Sequence, residues 1–369
     1  MGCWFFEEKY DHHLALVFVL KILLLIFTFP LPFSHSPSPS PPSLFSLTQT
    51  TVDIHFLREA RDALTNSATS TGWDFQGVTT NHIIDWFDAN PTDPQVEAVR
   101  LNRDLELSFI DASQVTVVVS PDEVDIIKHY RPNAQIAVVS NIHDLSSDGV
   151  DEDNDNSSND DPGYCSSRTG ILFVGNMNPP PNRQAVQHLI EEILPLLIEK
   201  LTREELQDFR VHVVGANVLG PELQKVLNAH TDTVVFHGYL SDDELLMLYN
   251  HVRSVVAPLL SGAGVKGKVN QAMKYGTPVV ATPLAVEGMH ATDGVDCMVG
   301  RSPEEFVDKL VKVYRDCDLW RRLVVGGRDN MRQHFSYEGA VPVVKELFTS
   351  VGAAPVDWRT TKCTSKHQQ

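Results

Sequence analysis

The chain is 369 residues long, enough for about two domains with ample buried core. Its 48 acidic and 30 basic residues give a formal charge of −18, so it lacks the basic face that a nucleic-acid backbone requires, and no nucleic-acid partner is expected. Cys3, Cys165, Cys297, Cys317 and Cys363 form no C-x-x-C pair, which argues against a zinc site or a disulfide framework and leaves buried or idle thiols as the expectation, with one disulfide still compatible.

Residues 1–50 stand apart from the rest. Leu14 to Phe29 is apolar except for Lys21 and precedes a Pro/Ser tract from Pro30 to Ser46. One reading is a signal anchor that meets the membrane through residues 14–33. Its sixteen residues fall short of the roughly 20 that span a bilayer. Glu7, Glu8 and Asp11 outweigh Lys9 where a secretory leader is positive. The other reading is a mispredicted start, because Leu44 to Gln49 resembles a translated polypyrimidine tract and splice acceptor. Localisation is accordingly left between cytoplasmic and membrane-associated.

From Asp53 the apolar spacing is helical, with Ile54, Leu57, Ala60, Arg61 and Leu64 on one face. A polar connection from Asn66 to Asp93 carries Trp73, Trp86 and Phe87, which are expected to cap a satellite core. A helix over Gln95–Ala112 and a strand over Val115–Val119 follow. Ser120-Pro121-Asp122-Glu123 has the form of a helix start, with an N-cap serine, a proline at the first helical position and a glutamate reaching back. A strand over Gln135–Val139 closes this part, residues 51–145. Residues 146–168 hold an acidic stretch with seven carboxylates between Asp148 and Asp161, too polar to bury a core and expected to be a disordered linker. Asp151, Asp153 and Asp155 resemble the start of a calcium loop, but Asn156 and Pro162 occupy positions that need Gly and Glu.

Residues 169–350 alternate short apolar strands with amphipathic helices. Strands are expected at Ile171–Val174, Arg210–Val214 and Thr233–His237, with helices at Arg183–Leu201, Pro221–Ala229 and Asp242–Asn250. Ser241-Asp242-Asp243-Glu244 and Ser302-Pro303-Glu304-Glu305 are expected capping boxes, the second opening a helix that reaches about Asp316. Such alternation means an α/β fold with a parallel sheet covered on both faces. Ligands then sit beyond the carboxyl ends of the strands. Gly175-Asn176, Gly215, Gly238-Tyr239 and Ser261-Gly262 fall at those ends. Residues 351–369 read as a tail.

The segment PLLSGAGVKGKVNQAMKYGTPVVATPLAVEG, from Pro258 to Gly288, is the most informative. A strand ends at Val255–Ala257, a Gly-rich loop runs from Ser261 to Lys268, and a helix begins at Val269. Gly262, Gly264 and Gly267 let a ligand approach the backbone, the helix start offers unpaired N–H groups, and Lys266 and Lys268 add charge. That combination suits a phosphate group.

The pattern G-x-G-x-K-x-K, followed by A-M-x-x-G-x-P-V-V-A-T and E-G, resembles the donor half of retaining GT-B glycosyltransferases of group 4. The similarity includes Phe173-Val174-Gly175-Asn176, Pro180-Pro181-Asn182, Val213-Val214-Gly215 and Phe236 to Ser241, and covers roughly Thr51 to Phe348. It implies a complete C-terminal Rossmann-like lobe that binds a nucleotide-diphosphate sugar, joined to the last part of an N-terminal, acceptor-side Rossmann-like lobe. The implied reaction is sugar transfer with retention to a glycan, lipid or small-molecule acceptor, without a cofactor or essential metal. Lys266 and Lys268 would stabilise the leaving diphosphate, and Glu287 would lie near the sugar or its loop. Gly175, Asn176, Gly215, Gly238, Tyr239, Leu240, Gly262, Gly264 and Gln271 would contact the donor. His237 reads as structural. Where many members of the family carry two glutamates eight positions apart, this chain has Ala263 and Gln271, the second beside the ribose. A nucleotide-sugar-binding pseudo-enzyme and a GT-B nucleotide-sugar epimerase are the alternatives.

Overall fold

The structure, a computed structural model, describes residues 54–68, 78–89, 92–145, 165–216 and 219–350. The Leu14–Phe29 segment, Trp73, the acidic stretch and the tail lie outside the described residues. Among the described residues no helix is long and apolar enough to cross a membrane.

The N-terminal part contains α1 (His55–Ala68), α2 (Thr80–Ala89), α3 (Pro94–Asp111), β1 (Thr116–Val118), α4 (Pro121–Tyr130) and β2 (Ile136–Val138). Its core gathers Phe56, Leu57 and Ala60 of α1 with Ile83 and Phe87 of α2 and Ile126 and Ile127 of α4. The expected satellite core is therefore present, with Phe87 buried and Trp86 packed half-buried against the cluster. Strands β1 and β2 pair in parallel, Thr116 opposite Ile136, with α4 as the crossover. The Ser120 capping box forms as read. Its Glu123 is fully buried, and its carboxylate accepts from the backbone N–H groups of Ile54, Val119 and Ser120 at 2.9, 3.0 and 3.1 Å. A charge so buried persists only with such partners.

The C-terminal part is a six-stranded parallel sheet built on β3 (Ile171–Val174), β4 (Val211–Val214), β5 (Val234–Gly238), β6 (Ser254–Ala257), β7 (Val279–Ala281) and β8 (Met298–Val299), in the order β5-β4-β3-β6-β7-β8. The helix expected from Arg183 starts earlier. It runs as α5 (Pro180–His188), a π turn (Leu189–Ile193) and a continuation (Leu194–Lys200). Pro195 lacks an N–H for the carbonyl four residues back, and the turn just before it opens to π geometry. A short helix, α6 (Arg203–Asp208), carries a Thr202–Glu205 capping box that the sequence reading passed over. Helices α7 (Pro221–Asn228), α8 (Asp242–His251) and α9 (Gly267–Lys274) follow their strands, and α10 (Pro303–Arg315), α11 (Cys317–His334) and α12 (Tyr337–Ser350) complete the chain.

The expected box at Ser302 is corrected to half a box. Ser302 Oγ accepts from Glu305 N, but the Glu305 carboxylate turns to the N–H of Arg301 at 2.8 Å instead of that of Ser302. Helix α12 leaves its own lobe, and Leu347 packs on Val115 and Val117 of the N-terminal sheet.

The expectation of idle thiols is also corrected. Cys165 and Cys317 form a disulfide 152 residues apart in sequence, tying the segment before β3 to the start of α11. Beside it the Arg253 guanidinium donates to the carbonyls of Cys165 and Tyr314. Cys297 is a free, buried thiol. Closing so long a loop restricts the unfolded chain, so reduction is expected to lower the unfolding free energy by about 4–5 kcal/mol. Urea unfolding with and without dithiothreitol tests this; in the Cys317→Ser variant the reductant should have no effect.

Candidate functional site

Strand order reverses between β3 and β6: from β3 the chain proceeds outward through β4 and β5, and from β6 through β7 and β8. The loops after β3 and β6 therefore part at their carboxyl ends and leave a crevice. Gly175-Asn176 lines one side and the Ser261–Lys268 loop the other.

On the β3 side, Asn176 Oδ1 accepts from Asn178 N at 2.9 Å, and Asn182 Nδ2 donates to the Asn176 carbonyl at 2.7 Å. A Cβ at Gly175 would lie 2.9 Å from Asn182 Cγ, and one at Gly215 only 1.9 Å from the Gly175 carbonyl oxygen. Packing alone thus accounts for both glycines. Gly238 differs: its φ is +68° and nothing lies within 4 Å of an added Cβ, so it serves a backbone turn at an open place. Tyr239 beside it is 76% exposed, while Leu240 packs against the lobe's core. His237 stacks on His212 with 2.9 Å between ring nitrogens. Burial, aided by neighbouring charge, holds His212 at a pKa of about 4, and burial lowers that of His237.

On the β6 side, Gly262 and Gly264 have φ of +116° and +68°. Lys266 occupies the N-cap of α9 and supplies no side-chain cap, so the helix start is left open to an anion. Lys266 Nζ donates to the Gly264 carbonyl at 2.5 Å. Lys268 Nζ donates to Asn182 Oδ1 at 2.6 Å and sits 4.4 Å from the centre of the Phe173 ring. Asn182 therefore links the two sides of the crevice, with its oxygen on Lys268 and its nitrogen on Asn176. A carboxamide does not cancel a charge. Although Lys268 keeps part of its surface exposed, its surroundings remove enough water that burial, with Lys266 nearby, pushes its pKa down to about 7.

Gln271 extends from α9, and its amide oxygen accepts from the buried Tyr249 hydroxyl at 3.2 Å. The oxygen expected to face a ribose is thus already engaged. Ala263 packs against the N-terminal core, where a glutamate would have to bury its charge.

Glu287 does not stand alone. Its Oε1 accepts from Arg61 Nη2 at 2.5 Å, and Arg61, 1% exposed, also donates to the Gly262 carbonyl at 3.1 Å and the Val78 carbonyl at 3.0 Å. Sequence reasoning placed Arg61 on a helix face and gave it no role. The available signal was an arginine on the otherwise apolar, inward stripe of α1, since such a charge needs a partner when buried. The following Gly288 approaches α4 so closely that a Cβ would lie 2.2 Å from Ser120 Oγ.

The doubly wound sheet, with a lysine-bearing loop at its switch point and a second parallel βαβ unit, has the architecture of a GT-B fold. Residues 168–316 match the family "Glycosyl transferases group 1". A Klebsiella pneumoniae relative, "Uncharacterized 44.6 kDa protein in cps region", is 27% identical over 184 residues, 49% of this chain and 44% of that protein. Among solved structures, S. aureus TarM, with UDP, fondaparinux and alpha-GlcNAc-glycerol, matches with a TM-score of 0.52 at 13% identity, over 68% of this chain and 46% of TarM. Sucrose-phosphate synthase of Thermosynechococcus elongatus matches at 0.53 and 15%, over 72% and 65%. Anabaena HepE, with UDP and glucose, matches at 0.51 and 12%, over 68% and 67%. The chain thus spans less than half the length of the Klebsiella protein and of TarM.

Lys268 is expected to titrate near 7 and to rise toward the ordinary lysine value in a Lys266→Met variant, because a like charge disfavours its protonation. Nζ chemical shifts followed against pH measure both; a Lys268 midpoint above 10 in the unmodified chain would contradict this.

Proposed function

We propose that the protein transfers a sugar from a nucleotide-diphosphate donor to an acceptor hydroxyl with retention at the anomeric carbon. The observation that carries this reading is the Ser261–Lys268 loop at the switch point, with an uncapped helix start and two lysines on one crevice wall. As the bond from the anomeric carbon to the diphosphate oxygen breaks, negative charge builds on the leaving oxygen. Fixed donors aimed at that charge lower the barrier. Lys266, Lys268 and the N–H groups that open α9 fill this role. Glu287, anchored by Arg61, faces the sugar side, and Tyr239 offers an exposed ring for the base. The UDP present with TarM and HepE is consistent with this chemistry as a property of those proteins.

The half-charged state of free Lys268 gives binding a pH dependence. A bound diphosphate raises the lysine's pKa, so the complex holds more proton than the free protein above about pH 7. Affinity then falls as pH rises, by up to about tenfold per unit between the free and bound pKa values.

Thermal unfolding with UDP, GDP, ADP and their sugars tests the proposal. At about 100 times its dissociation constant a true ligand stabilises by about 2.7 kcal/mol. That gain should shrink from pH 7 to pH 9 and lose this dependence in Lys268→Met. No shift with any member of the panel sinks the reading.

Gln271→Glu offers a second expectation. One carboxylate oxygen can keep the Tyr249 hydroxyl while the other accepts from the ribose, and the charge-assisted bond contributes about 1 kcal/mol more than a neutral one, near fivefold in affinity. Calorimetry on the folded variant checks it, and a loss beyond about tenfold would remove Gln271 from the ribose.

A further inference from the structure

We propose that Arg61 is a positioning residue for the diphosphate loop, setting its backbone and neutralising Glu287 from the opposite lobe. This rests on the function proposed above, for which Arg61 supplies the geometry and no chemistry of its own.

Three directions of the guanidinium are used: Nε to Val78 O, Nη1 to Gly262 O and Nη2 to Glu287 Oε1. The plane is rigid, so its two terminal nitrogens hold the Gly262 carbonyl and the Glu287 carboxylate at a set separation. The loop needs such a constraint. Gly262 sits at φ +116°, one of many conformations open to glycine, and a hydrogen bond to its carbonyl selects that one. Two residues on, the Gly264 carbonyl holds Lys266 Nζ, so the turn selected at Gly262 also sets the lysine. Ala263 packs between them on the core that contains Leu57 and Ala60 of α1, and this contact carries the loop with the helix.

Charge supplies the second argument. The Glu287 side chain is 18% exposed and lies by the same loop, so an unbalanced carboxylate there would repel the diphosphate that Lys266 and Lys268 attract. Arg61 cancels it from a site where no ligand competes, being 1% exposed. A lysine could cancel the charge but could not bridge both acceptors in one plane. The inner stripe of α1 is otherwise apolar, and an arginine serving only the fold would be dispensable there, since a well-packed apolar residue is often at least as stable as a buried ion pair.

The test uses the full chain and the variants Arg61→Met, Arg61→Lys and Arg61→Met with Glu287→Gln. Amide exchange is measured without ligand at Ser261–Lys268 and, as an internal standard, at Val279–Ala281. Binding of UDP, GDP and ADP is compared with that of the matching nucleosides.

In Arg61→Met the loop amides should exchange about tenfold faster while the β7 amides hold, and the bound diphosphate should weaken about tenfold while its nucleoside changes less than about twofold. Arg61→Lys should fall between, and it carries the same comparison if Arg61→Met does not fold. Adding Glu287→Gln should restore part of the diphosphate affinity without restoring loop protection, which a merely structural arginine would not do. Unchanged loop exchange, or equal losses for nucleoside and diphosphate, overturns the inference. Failure of the unmodified chain to bind any of the three nucleotides overturns the proposed function and the donor half of this inference, while the exchange comparison still decides whether Arg61 sets the loop.

Discussion

Parallel strands joined by right-handed crossovers place each connecting helix on a face dictated by the direction in which the next strand is added. In this sheet the direction changes between β3 and β6, so α5 and α9 leave those neighbouring strands toward opposite faces. Their starting loops therefore diverge at the carboxyl edge. Every polar feature of the crevice follows from that parting: the Asn176–Asn182–Lys268 link spans it, the glycines at 262 and 264 turn the chain at its rim, and α9 presents its first N–H groups to it.

Buried charge is arranged by a consistent rule. Glu123 is met by three backbone N–H groups, Arg253 by carbonyls and Arg61 by two carbonyls and one carboxylate. In each case the partners come from separate segments, so the charge orders the segments it joins at the cost of its desolvation. Lys268 breaks the rule. Its hydrogen-bond partner Asn182 and the Phe173 ring beneath it are both neutral, while burial, with Lys266 nearby, lowers its pKa. A cation left in this state is suited to a partner that arrives from outside, as perturbed groups at functional sites commonly are.

Much of the fold was legible because its signals are local. Strand and helix periods recovered the βα series, and Ser120 and Ser241 with their glutamates marked helix starts that the structure reproduces. The loop at Ser261–Lys268 was legible for the same reason, since glycines, lysines and the helix start occupy eight consecutive residues. What escaped was long-range. Arg61 and Glu287 lie 226 residues apart and Cys165 and Cys317 lie 152 apart, and no periodicity connects such pairs. The Ser302 box shows a subtler limit: the spacing was right, but Glu305 had two backbone N–H groups in reach and took the other. The tie from Tyr249 to Gln271 was equally invisible, because it depends on how α8 and α9 pack.

The return of α12 to the N-terminal sheet has a mechanical consequence. The chain passes between the lobes once near His143 and again near Phe335, and the two passages touch, with His143 N donating to Phe335 O at 2.8 Å and a bridge between His143 and Ser336. Two crossings side by side act as paired pins: relative rotation of the lobes about the line through them needs little stretching of either strand, whereas sliding or twisting strains both. The Arg61 clamp joins the lobes away from these pins, at Gly262 and Glu287, so it resists the one rotation that the pins leave free.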